Sequence, residues 1–387
     1  MTVVFWLVVQ VATLGLLFVV YRWAVDVFPP LRRRRRAIAA AIVSLVVVQP
    51  LLRWVVVHAH VGSVAHSMLL VASMSLAIAG IPIAGIRLVS WAVARTIARR
   101  SAGQAPDDAP AMTRRQLAEA AGGVALVGAT GSLLAWGVVR GRHEFQLCEV
   151  PVRIPGLPRT LDGYAIVQIS DIHTGLYVGE RELEEGLEVV RRARADLVVV
   201  TGDIVDFDIA FAPLVARKLS DLAARDGVKA ILGNHDYYAG AAKVVQALRA
   251  AGVDVLVDEG RIVRPAEGGF ALLGVDDLRS TSFGRSGPNL DRALAMVPAA
   301  LPRILLSHQP PTVERWAGRV ALQLSGHTHG GQINPGFRPM ALFAEYVAGP
   351  YAVRGTTLYV NRGFGTVGPP SRVGAPPEVT RIVLVAA

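Results

Sequence analysis

The sequence has one cysteine in 387 residues, Cys148. That excludes an internal disulfide and a thiolate-rich structural zinc site. A lone thiol after an apolar run is at most a candidate acylation site. Acidic residues are scarce at the start of the chain. Only 5 of the 30 Asp+Glu lie before residue 145, against 15 of the 40 Lys+Arg, which leaves 25 of each sign in the remainder. The formal net charge of +10 therefore belongs to the first 144 residues. A nucleic-acid binder would carry its basic surplus on the folded domain, so the neutral remainder argues against that class.

The first part is rich in apolar sequence. The length suggests two modules: a membrane region over residues 1–143 and an α/β domain over 144–387. Four apolar stretches, at about 3–20, 37–57, 64–86 and 120–139, approach the roughly 20 residues that a helix needs to span a bilayer. The second carries Pro50 and Arg53 near its end, and the fourth is rich in Gly and Ala. The arginines between these stretches alternate. Arg22 and Arg32 to Arg36 lie in the first connection, Arg53 alone in the second, and Arg87, Arg95, Arg99, Arg100, Arg114 and Arg115 in the third. Basic connections stay in the cytoplasm, which predicts that the C-terminal domain faces outward from the cytoplasmic membrane. Thr113-Arg114-Arg115-Gln116-Leu117 resembles a twin-arginine export signal and implies the same direction. The stretch Ser101 to Pro110 reads as a linker, and the lack of a small-x-small cleavage site predicts that the fourth stretch stays as an anchor.

From residue 145 onward, short apolar runs alternate with amphipathic helical patterns. Strands are expected at 164–169, 197–201, 228–232, 253–257, 262–264, 270–275, 303–306, 320–324, 357–360 and 379–385. Helices are expected at 180–194, 212–225 and 240–251. Five strands run into short polar loops: Asp171-Ile172-His173, Gly202-Asp203, Gly233-Asn234-His235-Asp236, Ser307-His308 and Gly326-His327-Thr328-His329. Sites in α/β sheets form at the carboxyl ends of strands. All five histidines after residue 144 sit in these loops, a placement that ordinary core or surface histidines do not produce.

Imidazole, carboxylate and amide donors without thiolate suit manganese, iron or zinc. The set offers more ligands than one ion needs, and two divalent ions sharing a carboxylate would use it fully. Two such ions can activate water for in-line attack on phosphorus.

The ordered series Asp-x-His, Gly-Asp, Gly-Asn-His-Asp, His and Gly-His-x-His resembles the calcineurin-like metallophosphoesterases over about 240 residues. The continuation Gly330-Gly331-Gln332 and the later Gly363-Phe364-Gly365 and Pro376-Pro377-Glu378 resemble its membrane-associated bacterial branch, which includes exported twin-arginine phosphoesterases. The resemblance implies a four-layer αββα sandwich behind about four transmembrane helices. It implies that Asp171, His173 and His329 hold one metal, that Asn234, His308 and His327 hold the other, and that Asp203 bridges them. It places His235 at the leaving-group oxygen as a catalytic residue that binds no metal, with Asp236 orienting it. Asp206 is a candidate for either a supporting or a helix-capping role, Asp276 and Asp277 for turn bonds, and Arg362 for phosphate contact.

The expected activity is hydrolysis of a phosphodiester or of an envelope or lipid-linked phosphoester such as a phospholipid. One alternative is a UDP-2,3-diacylglucosamine pyrophosphatase of lipid A synthesis, whose substrate is cytoplasmic. Another is an inactive membrane-bound sensor or scaffold, which would predict a broken ligand position, and none is broken. An alkaline phosphatase fused at the C-terminus should be active and a green fluorescent protein there dark. The opposite pair of signals would reverse the orientation read from the arginines.

Overall fold

In this computed structural model the described residues are 2–59, 63–100 and 114–387, with backbone alone in stretches of the first helices. The expected linker at 101–110 and Thr113 of the twin-arginine stretch lie outside them. The chain forms two compact units, residues 1–136 and 137–387.

The first unit is helical, with long helices at Thr2–Val27, Arg35–Ala59 and Ser63–Arg100, a one-turn helix at Pro29–Arg32, and a further long helix beginning at Arg114. Among the described residues three segments are long and apolar enough to cross a membrane: Gln10–Val27, Ala72–Val89 and Leu117–His143. The sequence suggested about four, and the remaining one rests in part on side chains after residue 48 that lie outside the described set. Val20, Trp23, Val27, Ala79, Ile83 and Ala120 form the centre of this unit. Trp23 Nε1 donates to the carbonyl of Glu119 at 3.3 Å. A side chain at Gly123 would overlap the Trp23 ring, so a small residue there lets the helices approach.

The second unit is built on two mixed six-stranded sheets. The strands are β1 (Gln146–Ile154), β2 (Ala165–Ile169), β3 (Leu197–Thr201), β4 (Val228–Ile231), β5 (Asp254–Val255), β6 (Glu259–Val263), β7 (Phe270–Gly274), β8 (Arg303–Leu306), β9 (Leu322–Ser325), β10 (Gly349–Val353), β11 (Thr356–Val360) and β12 (Glu378–Ala386). One sheet runs β1-β12-β2-β3-β4-β5 and the other β10-β11-β9-β8-β7-β6. β2, β3 and β4 are mutually parallel, as are β7, β8, β9 and β11.

Successive residues of a strand point to opposite faces, and here both faces are covered. Ile166, Leu197, Val199 and Ile231 meet Phe270, Leu272, Ile304, Leu306, Leu322 and Leu324 between the sheets. Their neighbours Val167, Ile169, Val198, Val200 and Ala230 pack outward against Leu183, Leu187, Val190, Val215, Leu219, Val244 and Leu248 of the helices at 180–192, 212–220 and 241–250. On the far side Ala271, Leu273 and Leu305 pack on Leu290, Ala293 and Trp316. This is the αββα sandwich, and burial on both faces explains why Leu197–Thr201 reads as an unbroken apolar run.

Two strands were not expected, β1 and β10. Each ends its sheet, and each contains a proline, Pro151 and Pro350. Proline cannot donate to a ladder and is tolerated at an edge, so these segments lack the apolar signature of the central strands. The expected helix at 212–225 stops at Ser220.

Phe270 is fully buried and meets the Tyr164 ring edge-on at 5.4 Å between centroids. Phe270→Ala should cost about 3–5 kcal/mol, read as a fall in the denaturant midpoint at unchanged slope. A smaller loss would mean that the sheets close over the cavity.

Candidate metal centre

The carboxyl ends of β2, β3, β4, β8 and β9 deliver the expected loops to one place. Three groups of ligand atoms lie within 4.8 Å of one another: Asp171, His173 and His329; His173, Asp203 and His235; and Asp203, His308 and His327. His173 Nε2 is 3.0 Å from His329 Nε2, which is itself 3.4 Å from Asp171 Oδ1. His308 Nε2 is 3.1 Å from His327 Nδ1 and 3.3 Å from Asn234 Oδ1. Asp203 Oδ2 stands between the two groups, 3.2 Å from His308 Nε2 and 3.6 Å from His173 Nε2.

The local backbone is unusual. Asp171, His173, Asp203, His327 and His329 all have positive φ, between 52° and 73°. Such left-handed geometry costs a non-glycine residue on the order of 1–3 kcal/mol and concentrates at functional sites. Hydrogen bonds hold it. Asp171 accepts the N–H of His327 at 2.9 and 3.0 Å, and Asp203 Oδ1 accepts the N–H of His235 at 2.7 Å. Gly326 and Gly233 leave room for this, because a Cβ at either would overlap the carboxylates of Asp171 and Asp203 respectively.

The donor set fits divalent cations. His308 Nδ1 donates to the carbonyl of Thr201 at 2.8 Å, which turns Nε2 toward the cluster, as in an oriented metal-binding imidazole. Around that nitrogen stand a carboxylate, an amide oxygen and another imidazole nitrogen, more lone pairs than one proton can serve. The ionisation pattern says the same. Burial raises Asp171 above its ordinary value. Burial would raise Asp203 too, but the imidazoles of His308, His235 and His173 hold it well below. Burial opposes charging of His308, yet Asp203 and Asp171 push it well above the usual range. Desolvation within the cluster and the positive charge on His308 lower His327, although that residue as a whole is exposed, while burial, His173 and Arg372 hold His329 well below its ordinary value. The cluster thus keeps some imidazoles neutral beside buried carboxylates, the state a metal ligand needs.

His235 lies at the margin of the cluster. Its Nδ1 pairs with Asp206 Oδ1 at 2.8 Å. This corrects the expected role of Asp236, which does not orient His235. Asp236 accepts three backbone N–H groups instead: Ile204 and Val205 on Oδ1 at 3.0 and 3.1 Å, and Gly233 on Oδ2 at 2.8 Å. Asp236 is the third residue after the helix N-cap Gly233, the position from which a side chain reaches back to the N-cap N–H. Burial and the nearby Asp203 raise Asp236 to about 7. Burial would raise Asp206, but the imidazole of His173, 3.6 Å away, and that of His235, hydrogen-bonded to it, lower it to about 2.

Arg362 does not face the cluster. It pairs with Glu378 and reaches Gln146 and Cys148. Asp276 accepts from Tyr237 at 2.5 Å and from Arg285 at 2.8 Å, while Asp277 accepts from Gln309. The guanidinium beside the cluster is Arg372, fully buried, with Nη2 3.2 Å from His329 Nδ1. Burial lowers it to about 9. Nothing in the pattern Ser371-Arg372-Val373 marks it out. Phe207 and Tyr238 were also unmarked, and their rings lie 4.7 and 5.2 Å from the ring of His235.

Residues 164–331 match the family model described as calcineurin-like phosphoesterase. A zebrafish (Danio rerio) transmembrane protein with metallophosphoesterase domain is 32% identical over 265 residues, covering 66% of this chain and 61% of the relative. The chain thus spans less than two thirds of that relative's length. The uncharacterized metallophosphoesterase YkuE of Bacillus subtilis is 32% identical over 284 residues, covering 70% of this chain and 98% of YkuE. Among solved structures, the calcineurin-like phosphoesterase YfkN from Bacillus subtilis aligns with a TM-score of 0.34 at 13% identity, covering 57% of this chain and 90% of that one.

Asp206→Ala and Asp236→Ala should separate. The first should lower turnover roughly 10–100-fold with melting temperature kept. The second, leaving three buried N–H groups unpaired at about 1–3 kcal/mol each, should lower the melting temperature. If both variants melted alike and only Asp236→Ala lost turnover, the assignment of Asp206 to His235 would fail.

Proposed function

This chain belongs to the calcineurin-like metallophosphoesterase family, and we propose that its cleft hydrolyses a phosphodiester or a lipid- or envelope-linked phosphoester. Membership makes it a metal-dependent hydrolase of phosphoester bonds, and its apolar helices integrate it into a membrane. The observation that carries the site reading is Asp203 Oδ2, placed between His308 Nε2 at 3.2 Å and His173 Nε2 at 3.6 Å. One carboxylate shared by two ligand groups is what a pair of ions requires.

In this reading Asp171, His173 and His329 would hold one ion, Asn234, His308 and His327 would hold the other, and Asp203 would serve both. When bound, manganese, iron or zinc ions would supply Lewis acidity toward the phosphoryl oxygens and a nucleophile at neutral pH. His235 stands beside the ligand groups to donate a proton to the leaving oxygen, and Asp206 holds its ring. Phe207 and Tyr238 flank His235 on that side. An aromatic wall there favours a bulky, partly apolar leaving group over water-like small ones, which supports a diester or lipid-linked ester over a small monoester. The loop arginines support an outward-facing domain, next to envelope substrates.

Asp203→Ala should lower turnover by roughly three orders of magnitude or more and reduce bound metal. His235→Ala should keep both ions and lose roughly 10²–10⁴-fold in turnover. Loss of both ions from His235→Ala, measured by metal analysis, would overturn the division of roles. A panel of diester, monoester, nucleotide-sugar and phospholipid on the purified full chain with defined metals tests the substrate class. A preference for the monoester would defeat it.

A further inference from the structure

Beyond Asn334, five residues after His329, the chain enters a segment whose base is fixed and whose tip is open. At the base, Asn334 N donates to Val373 O at 2.7 Å, and Asn334 Nδ2 donates to Gly330 O at 2.9 Å. Gln332 Nε2 donates to Val367 O and Pro369 O at 3.0 and 2.8 Å. On the returning side Tyr346 is buried, and Val347 O accepts Thr328 Oγ1 at 2.6 Å. The tip between them, around the 3-10 turn Pro339–Leu342, touches the turn at His329–Gly331 through Met340 but buries none of its own residues. Phe337, Leu342 and Phe343 are 62%, 78% and 85% exposed, and Arg338 is exposed beside them. A single exposed leucine needs no explanation, but two phenylalanines and a leucine on one pinned turn form a patch that asks for a partner.

We propose that this tip inserts into the headgroup region of the bilayer that holds the chain's own helices, and so presents the adjacent cleft to the lipid surface. Three observations select this occupant. The candidate spans at 10–27, 72–89 and 117–143 keep a bilayer permanently near the domain, at the high effective concentration of a tethered partner. Aromatic and aliphatic side chains with an adjacent arginine match the membrane interface, where rings sit at headgroup level and a cation meets phosphate. A second copy of the chain is disfavoured by size, because a stable interface needs about 800 Å² from each partner, more than three side chains on one turn offer. The inference does not depend on which phosphoester is cleaved.

The test uses the full chain in nanodiscs, with Cys148→Ser removing the native thiol and Phe343→Cys carrying an environment-sensitive fluorophore. Lipids brominated on the acyl chains should quench it at least about twofold, and aqueous iodide should have little effect. A label at Met296→Cys, a position 52% exposed elsewhere on the domain, should respond to iodide alone. A Phe343 label that behaves like the Met296 label overturns the proposal, and so does pyrene excimer emission between copies labelled at Phe343. The triple variant Phe337→Ser/Leu342→Ser/Phe343→Ser should leave hydrolysis of a water-soluble aryl diester unchanged. Its hydrolysis of a bilayer-embedded phosphoester should fall about tenfold. Equal losses on both substrates would also overturn the proposal. Inactivity of the unaltered chain on every substrate would defeat the hydrolytic reading and leave the quenching result to decide this one.

Discussion

The geometry of the cleft turns on one carboxylate. Asp203 accepts the N–H of His235 with one oxygen and presents the other to His308 and His173. The first bond fixes the loop after β4 against the loop after β3. The second oxygen stands between imidazoles that arrive from opposite sheets. His308 comes from β8 and His173 from β2, so the position of Asp203 depends on how the two sheets face each other. Their shared layer of Ile166, Val199, Ile231, Leu272, Ile304 and Leu324 is therefore part of the site. Close packing transmits small displacements, and a shift between the sheets would pull the two ligand groups apart.

The same region is where the fold is least relaxed. Five of the residues that converge there adopt left-handed backbone, and several of their neighbours are buried carboxylates. Sandwich stability offsets both. The central strands are buried on both faces, and the strained loops hang from their ends rather than interrupting them. Asp236 shows how the strain is held, since its carboxylate gathers the N–H groups of Ile204, Val205 and Gly233 behind the cluster. His235 gains its own anchor from Asp206.

Charge divides the labour along the chain. The basic excess lies in the membrane region and the catalytic domain is formally neutral, so attraction to an anionic polymer has no basis on the domain. The apolar helices bring the domain to a surface, and the open tip at Phe337 to Phe343 gives the domain itself an apolar feature that neutral charge alone would not.

The ordered loops Asp171-Ile172-His173, Gly202-Asp203, Gly233-Asn234-His235-Asp236, Ser307-His308 and Gly326-His327-Thr328-His329 were legible because each follows an apolar run, and a run buried on both faces is hard to mistake. The central strands and the helices at 180–192 and 241–250 were legible for the same reason, through periodicity. The edge strands β1 and β10 were not, since an edge needs little apolar sequence and tolerates proline. The partner of His235 was not legible either. Asp236 is next to His235 in sequence and Asp206 is 29 residues away, yet the turn of the backbone points Asp236 back at its own loop while Asp206 reaches the ring. Arg372 is 43 residues from His329, and its burial beside that imidazole depends on how the last loop closes over β2. The sequence by itself determined which residue types gather and in what order, because burial pattern and donor chemistry are local. Only the tertiary structure decided which side chain faces which, because that depends on directions set by strained backbone and by the packing of two sheets.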